Sequence, residues 1–271
     1  LSAGITEIRR NKMGLDIYAG TLTRYYAHNW KTVTQQWAET NGFSFSRITP
    51  RGEQAVQEEE ADPQEIKNAM KNWQSQILEA ISPKECPPYE SWTEDNETPY
   101  YTDKPDWDAF GALLLYTAAR TYGEPLQETV EKSWDFENHP LIQRMGEDED
   151  HGVWSLFIGA SWWLPIADGL AFNAPCPTDE EITFSTTGAL KMELEQINTI
   201  GWNADEETIL SWSRSEGYPA DAEIQNGKLT KAGMEEHTVY NTESLAKFAF
   251  SILWRAVKFS MENQVPILLD F

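Results

Sequence analysis

The stretch Val153–Phe172, VWSLFIGASWWLPIADGLAF, constrains this chain more than any other part of it. It is the most apolar run in the sequence and holds three of the twelve tryptophans. Val153, Ser155, Phe157 and Gly159 alternate with Trp154, Leu156, Ile158 and Ala160, and both sets carry apolar side chains, so neither is a wet face. An apolar run bounded by Gly and Pro reads as a buried strand. Pro165 cannot donate to a sheet ladder, which places Trp162–Ile166 at an edge or at the start of a second strand. Asp168-Gly169 signals a turn, and Leu170–Asn173 a short returning strand. A run of about 20 residues is long enough for a bilayer. Gly159, Ser161, Pro165, Asp168 and Gly169 break this one, and its flank is acidic, Glu147–Asp150, where a membrane helix carries basic residues. No membrane association is expected.

Around this centre the periodicities alternate. Leu15, Ile17 and Ala19 read as one face of a strand, with Asp16, Tyr18 and Gly20 on the other. Tyr26, Trp30, Val33 and Trp37 form a helical stripe that Asn41-Gly42 ends, and His28 near its start reads as a surface or capping residue. Phe43, Phe45 and Ile48 suggest a brief strand. Glu58-Glu59-Glu60 lies in a solvated connector. Asp62-Pro63-Gln64-Glu65 then combines an N-cap, a proline at N1 and an acid at N3, and opens a helix with Ile66, Met70, Trp73 and Ile77 inside.

The predicted helices continue with Pro105–Tyr122, Leu126–Trp134, a short one from Pro140, one carrying Leu190, Leu194, Ile197 and Ile200, and one capped by Asn203 or Asp205. The last is capped by Asn241 or Thr242 and buries Leu245, Phe248, Ile252, Ala256 and Phe259. Strands are predicted at Glu181–Ser185 and at Val265–Phe271, the latter beside Leu15–Ala19. The expected fold class is α+β, several helices packed on a small mixed or antiparallel sheet. Residues 13–271 read as a single domain with a long Pro- and aromatic-rich loop at 83–106. Residues 1–12 read as a leader or disordered tail, with Met13 as the natural start and Arg9-Arg10 as a translated ribosome-binding sequence.

No catalytic signature is complete. His28, His139, His151 and His237 form no H-E-x-x-H and no zinc spacing with cysteine. An acidic turn explains His151 without a metal, and dipole compensation explains Asp103, Asp106 and Asp108 at a helix start. Neither phosphate loop is present. Gly159-Ala160-Ser161 falls short of a nucleophile elbow because Trp163 stands where the last glycine belongs. The expectation is no metal and no cofactor. Cys86 and Cys176, both flanked by proline, read as free thiols of a cytoplasmic protein.

The charge points elsewhere. The chain of 271 residues has 44 acidic and 21 basic side chains, a net −23. Such a field repels nucleic acid and anionic lipid and draws in a basic protein. The candidate contact surface joins the loop, through Trp92, Tyr100, Tyr101 and Trp107, to the acid block Glu147, Asp148, Glu149 and Asp150. Met13-Gly14-Leu15-Asp16-Ile17-Tyr18 and the closing helix followed by PILLDF resemble a set of small uncharacterised bacterial proteins. The likeness covers the termini and implies no activity or site.

The leading reading is a non-enzymatic acidic binding protein, immunity- or inhibitor-like, with a basic protein partner. An alternative is a carbohydrate-active hydrolase with paired carboxylates beside Trp92 and Trp107, which needs a separation of about 5 to 9.5 Å. A DNA-mimic inhibitor shares the charge argument.

Overall fold

The computed structural model describes residues 14–42, 46–49, 52–55, 62–82, 88–148, 150, 152–219, 223–225, 228–230 and 237–271. The expectations for residues 1–12 and Met13, and those for Phe43, Phe45, Glu58-Glu59-Glu60, Cys86, Glu149 and His151, lie outside the described residues. In chain order the elements are β1 (Asp16–Ala19), α1 (Leu22–Tyr26), α2 (Val33–Thr40), β2 (Ser46–Thr49), β3 (Gly52–Ala55), α3 (Pro63–Ile81), β4 (Tyr101–Asp103), α4 (Asp106–Tyr122) and β5 (Thr129–Glu131). Then follow α5 (Pro140–Glu147), β6 (Trp162–Leu164), β7 (Ala171–Pro175), β8 (Glu181–Thr186), α6 (Thr187–Ile200), α7 (Glu206–Ser215), β9 (Glu223–Gln225), β10 (Lys228–Thr230), β11 (Val239–Asn241), α8 (Thr242–Asn263) and β12 (Ile267–Asp270). The fold is α+β, helices with a mixed six-stranded sheet in the order β4-β1-β12-β6-β8-β7. The chain forms two compact units: Asp16–Lys104, Ser161–Gly188 and Ala256–Phe271 make one, which contains the whole six-stranded sheet. Among the described residues, 14–15, Pro105–Ala160 and Ala189–Arg255 make the other.

In the sheet unit the closing strand pairs with the opening one as the sequence predicts. β12 runs antiparallel to β1, with Asp16 opposite Asp270 and Ala19 opposite Ile267. β1 also pairs with β4, so it is an interior strand. Tyr18, on the face expected to be wet, is nonetheless fully buried with Ile17 and Ala19, because the rings of Tyr25, Trp30 and Tyr100 pack over it. Its ring lies 4.8 Å from that of Trp30, and its hydroxyl donates to the Thr21 carbonyl.

Trp162–Leu164 is central rather than an edge: β6 pairs antiparallel with β12 and parallel with β8. The strand stops at Leu164, so Pro165 falls just outside it and costs no ladder bond. β7 pairs with β8, not with β6.

The single helix expected from Tyr26 to Trp37 is instead two. Thr21 caps α1 and Thr32 caps α2 with a full capping box to Gln35; between them His28 adopts φ +55. Two competing N-caps outweigh one continuous stripe, and Trp37 is left 43% exposed. α3 starts as predicted, with the Asp62 carboxylate accepting from Gln64 N at 2.8 Å, and buries Met70, Trp73 and Ile77.

In the other unit α4 is buried on all sides from Ala109 to Ala119 and ends at Gly123 in the left-handed region. The helix expected at Leu126–Trp134 is instead β5, paired with β11, with Val130 inside and its two neighbours exposed. Val153–Ala160 is not a strand. Phe157 N and Ile158 N both donate to the Trp154 carbonyl, which makes a helical turn.

The reason for that turn is Glu193 on α6. Its carboxylate accepts from Ser155 N at 2.5 Å, Ser155 Oγ at 2.8 Å and Leu156 N at 3.2 Å. The first amides of a helical turn have no partner within the turn, and Glu193 supplies one from another element.

Burial pushes the Glu193 carboxyl up to about 7, against the donors that favour the ion. The folded chain therefore holds this proton more tightly than the unfolded chain. The stability it contributes is complete below the ordinary value of 4.5 and is lost as pH rises through about 7. Between those values the native protein is expected to lose about 3 kcal/mol relative to a Glu193→Gln variant. Urea unfolding of both proteins across this range measures the difference, and a gap that does not move with pH refutes it.

Candidate functional site

The residues expected to form one contact surface fall in both units. Trp92, Tyr100 and Tyr101 belong to the sheet unit; Trp107, Glu147, Asp148 and Asp150 belong to the other. Glu149 lies outside the described residues.

In the sheet unit the loop is tied down by polar bonds. Trp92 is only 4% exposed, and its indole N–H donates to Glu94 Oε1 at 3.0 Å. It is a core residue and offers no face to a partner. Glu94 is buried beside it and also accepts from Leu22 N, Thr23 N and Thr23 Oγ1 at 3.3, 2.9 and 2.8 Å. It thus satisfies the first amides of α1 as Glu193 does those of the 154–158 turn. Burial raises its carboxyl above the usual range, opposed by these donors.

Arg24 extends the tie, donating from Nε to the Thr98 carbonyl at 3.2 Å and from Nη1 to that of Asn29 at 2.8 Å. Tyr100 is half-buried, its ring stacked on Tyr18 and its hydroxyl accepting from Lys31 N at 3.0 Å. Tyr101 donates to Asp103 Oδ2 at 3.0 Å.

In the other unit the acid block is built around a tyrosine. Asp148 Oδ2 accepts from Tyr122 Oη at 2.6 Å, and Oδ1 accepts from Asp150 N at 2.9 Å. Arg144 lies with its guanidinium carbon 3.7 Å from the centre of the Tyr122 ring, a cation–π contact. Partial burial, the bond to Asp148 and its charge push the Tyr122 hydroxyl up to about 12. An open recess of about 440 Å³ here is lined by Pro140, Gln143, Arg144, Glu147 and Asp148. Trp107 packs on Phe110 and Phe136. His139 caps α5 by accepting from Leu141 N at 3.3 Å, and burial lowers its pKa.

Arg144 and Asp148 are brought together through Tyr122, which each contacts; Tyr122 reaches them by tertiary contact and leaves no local signal. Glu193 did leave one. It falls three residues after Leu190 and four before Ile197, on the buried stripe of α6. An acid there needs internal donors.

Among the described residues no three His, Cys, Asp or Glu side chains gather into a metal-ligating group. None of the described helices is long and apolar enough to cross a membrane. Cys176 is a buried free thiol, 3.0 Å from Thr178 Oγ1. Compared with protein-family models, with curated proteins and with solved structures, the chain matches none.

Tyr122→Phe is expected to cost about 1 kcal/mol by removing the bond to Asp148. It also removes one tyrosine that ionises late in an alkaline absorbance titration. An unchanged unfolding midpoint would show that the Tyr122–Asp148 bond carries no weight.

Proposed function

We propose that this protein is a non-enzymatic acidic binding protein, of an inhibitor or immunity kind, that engages a basic protein partner. One observation carries the reading. The chain has 44 acidic and 21 basic side chains. Even if every cation were paired one to one, 44 − 21 leaves 23 carboxylates uncompensated. Among the described acids only Glu94 and Glu193 are buried, so the other described carboxylates reach the surface. Such a surface speeds the approach of a basic partner and discourages anionic ones.

The buried carboxylates with raised pKa have their oxygens filled by internal donors. That leaves them as structural caps. Tyr100, Tyr101 and Trp107 are the aromatic candidates for contact, with Glu147, Asp148, Glu149 and Asp150 as the acidic ones. A buried free thiol at Cys176 fits a reducing cytoplasm.

A pull-down from source-cell lysate at low salt, repeated at high salt, is expected to retain a basic protein in the first and lose it in the second. The association rate of that pair, followed by stopped flow, is expected to fall at least about tenfold between 50 and 500 mM salt, since charges beyond a Debye length are screened. A rate indifferent to salt overturns the proposal.

A further inference from the structure

The sheet ends on β7, and no described strand pairs with the outer side of that strand. Its pairing with β8 places Ala171 opposite Ser185, Asn173 opposite Thr183 and Pro175 opposite Glu181. Cys176 N donates to the Glu180 carbonyl at 2.8 Å, so Cys176 and Glu180 face each other as a bonded pair. Bonded and non-bonded pairs alternate along an antiparallel ladder. The backbone groups of Phe172 and Ala174 therefore point at β8, and those of Ala171, Asn173 and Pro175 point away.

Two contacts agree with this phase. The Pro175 carbonyl accepts from Trp73 Nε1 at 2.9 Å on the side away from β8. The Thr183 carbonyl, opposite Asn173, accepts from Ser161 N on the far side of β8. The outward N–H and C=O of Ala171 and Asn173 remain, and both residues are exposed.

Unguarded edges invite pairing, and natural sheets commonly guard them with lysine. This one has none: no lysine or arginine occurs anywhere between Arg144 and Lys191. Acids bracket the edge instead. Asp168 precedes β7, and Asp179, Glu180 and Glu181 follow it at the hairpin, all exposed.

We infer that the outer edge of β7 is where an extended, lysine- or arginine-bearing segment of a partner protein docks, adding a strand through the backbone of Ala171 and Asn173. Main-chain bonds give such docking its affinity, and flanking side chains give it its selectivity. Here Asp168 and Asp179–Glu181 select for cations. A second copy of this chain is the poorer occupant, because it brings its own net −23 to the edge. The inference rests on the proposed binding of a basic partner and gives it a location.

The probe is the peptide Lys-Val-Lys-Val-Lys-Val, added to the whole protein while amide exchange is followed residue by residue. The Ala171 and Asn173 amides are expected to slow at least about tenfold. The same peptide methylated on its backbone nitrogens keeps its charge but cannot pair, and is expected to leave them fast. Asn173→Pro removes one outward donor and leaves the backbone ladder to β8 intact, at the loss of the Thr183 Oγ1 bond to the Asn173 side chain, and is expected to abolish the protection. If that variant fails to fold, the methylated peptide still decides.

Three results overturn the inference. The peptide binds and the two amides stay fast, which leaves the charge-based reading standing. No basic peptide binds even at low salt, which removes both. Or the two amides are already slow without peptide in a manner that grows with protein concentration, which assigns the edge to a second copy.

Discussion

The constraint on which much of this structure depends is that the first amides of a helical turn must find acceptors. In each compact unit a buried glutamate supplies them from a distant element. Glu94 closes the start of α1 from the 88–100 loop, and Glu193 closes the 154–158 turn from α6. A buried carboxylate is costly unless its oxygens are filled, and here the donors offset part of that cost, while burial still holds both carboxyls above their ordinary range. The acid gains donors and the turn gains acceptors. The loop from Trp92 to Thr98 is held in place this way, and the first half of the most apolar stretch becomes a turn.

That arrangement explains which parts of the fold were legible. Signals carried by neighbours in sequence came through. Asp62-Pro63 starts α3, Asp205 caps α7, and Asn41-Gly42 ends α2. The β1–β12 pairing was also legible, because two apolar strands at the termini had few other partners. Besides the split helix at Tyr26–Trp37 and the buried Trp92, three misreadings fell at Val153–Ala160, at Tyr18 and at Leu126–Trp134. In the first, the deciding group lies 38 residues away at Glu193. In the second, the rings of Tyr25, Trp30 and Tyr100 cover the other face of the strand, and alternation cannot report that. In the third, Leu126, Val130 and Trp134 suit a helix by spacing, and pairing with β11 overrode the local preference.

The candidate site was legible in kind more than in place. Composition alone required a surplus of surface carboxylates, and Asp148 does join a polar cluster with Tyr122 and Arg144. The sequence grouped Trp92 with exposed aromatics because a proline-rich segment reads as surface. In the fold its indole is enclosed by Trp73 and Glu94. The conspicuous tryptophans are largely of this kind: Trp73, Trp92, Trp162 and Trp163 are all buried in the sheet unit.

Charge also bears on how a bare sheet edge survives. Lysines along an edge work by placing a solvated charge where another strand would lie. Carboxylates at the two ends of β7 act differently, since they repel any strand of the same composition and tolerate one of the opposite sign. For a chain with twice as many acids as bases, the most abundant wrong partner is another copy of itself, and its field already disfavours that encounter. The edge can then stay open toward a cationic segment without a proline or a lysine in its middle. On the proposed reading, one charge surplus would both suppress self-pairing and select a cationic partner, which is specificity by repulsion as much as by attraction.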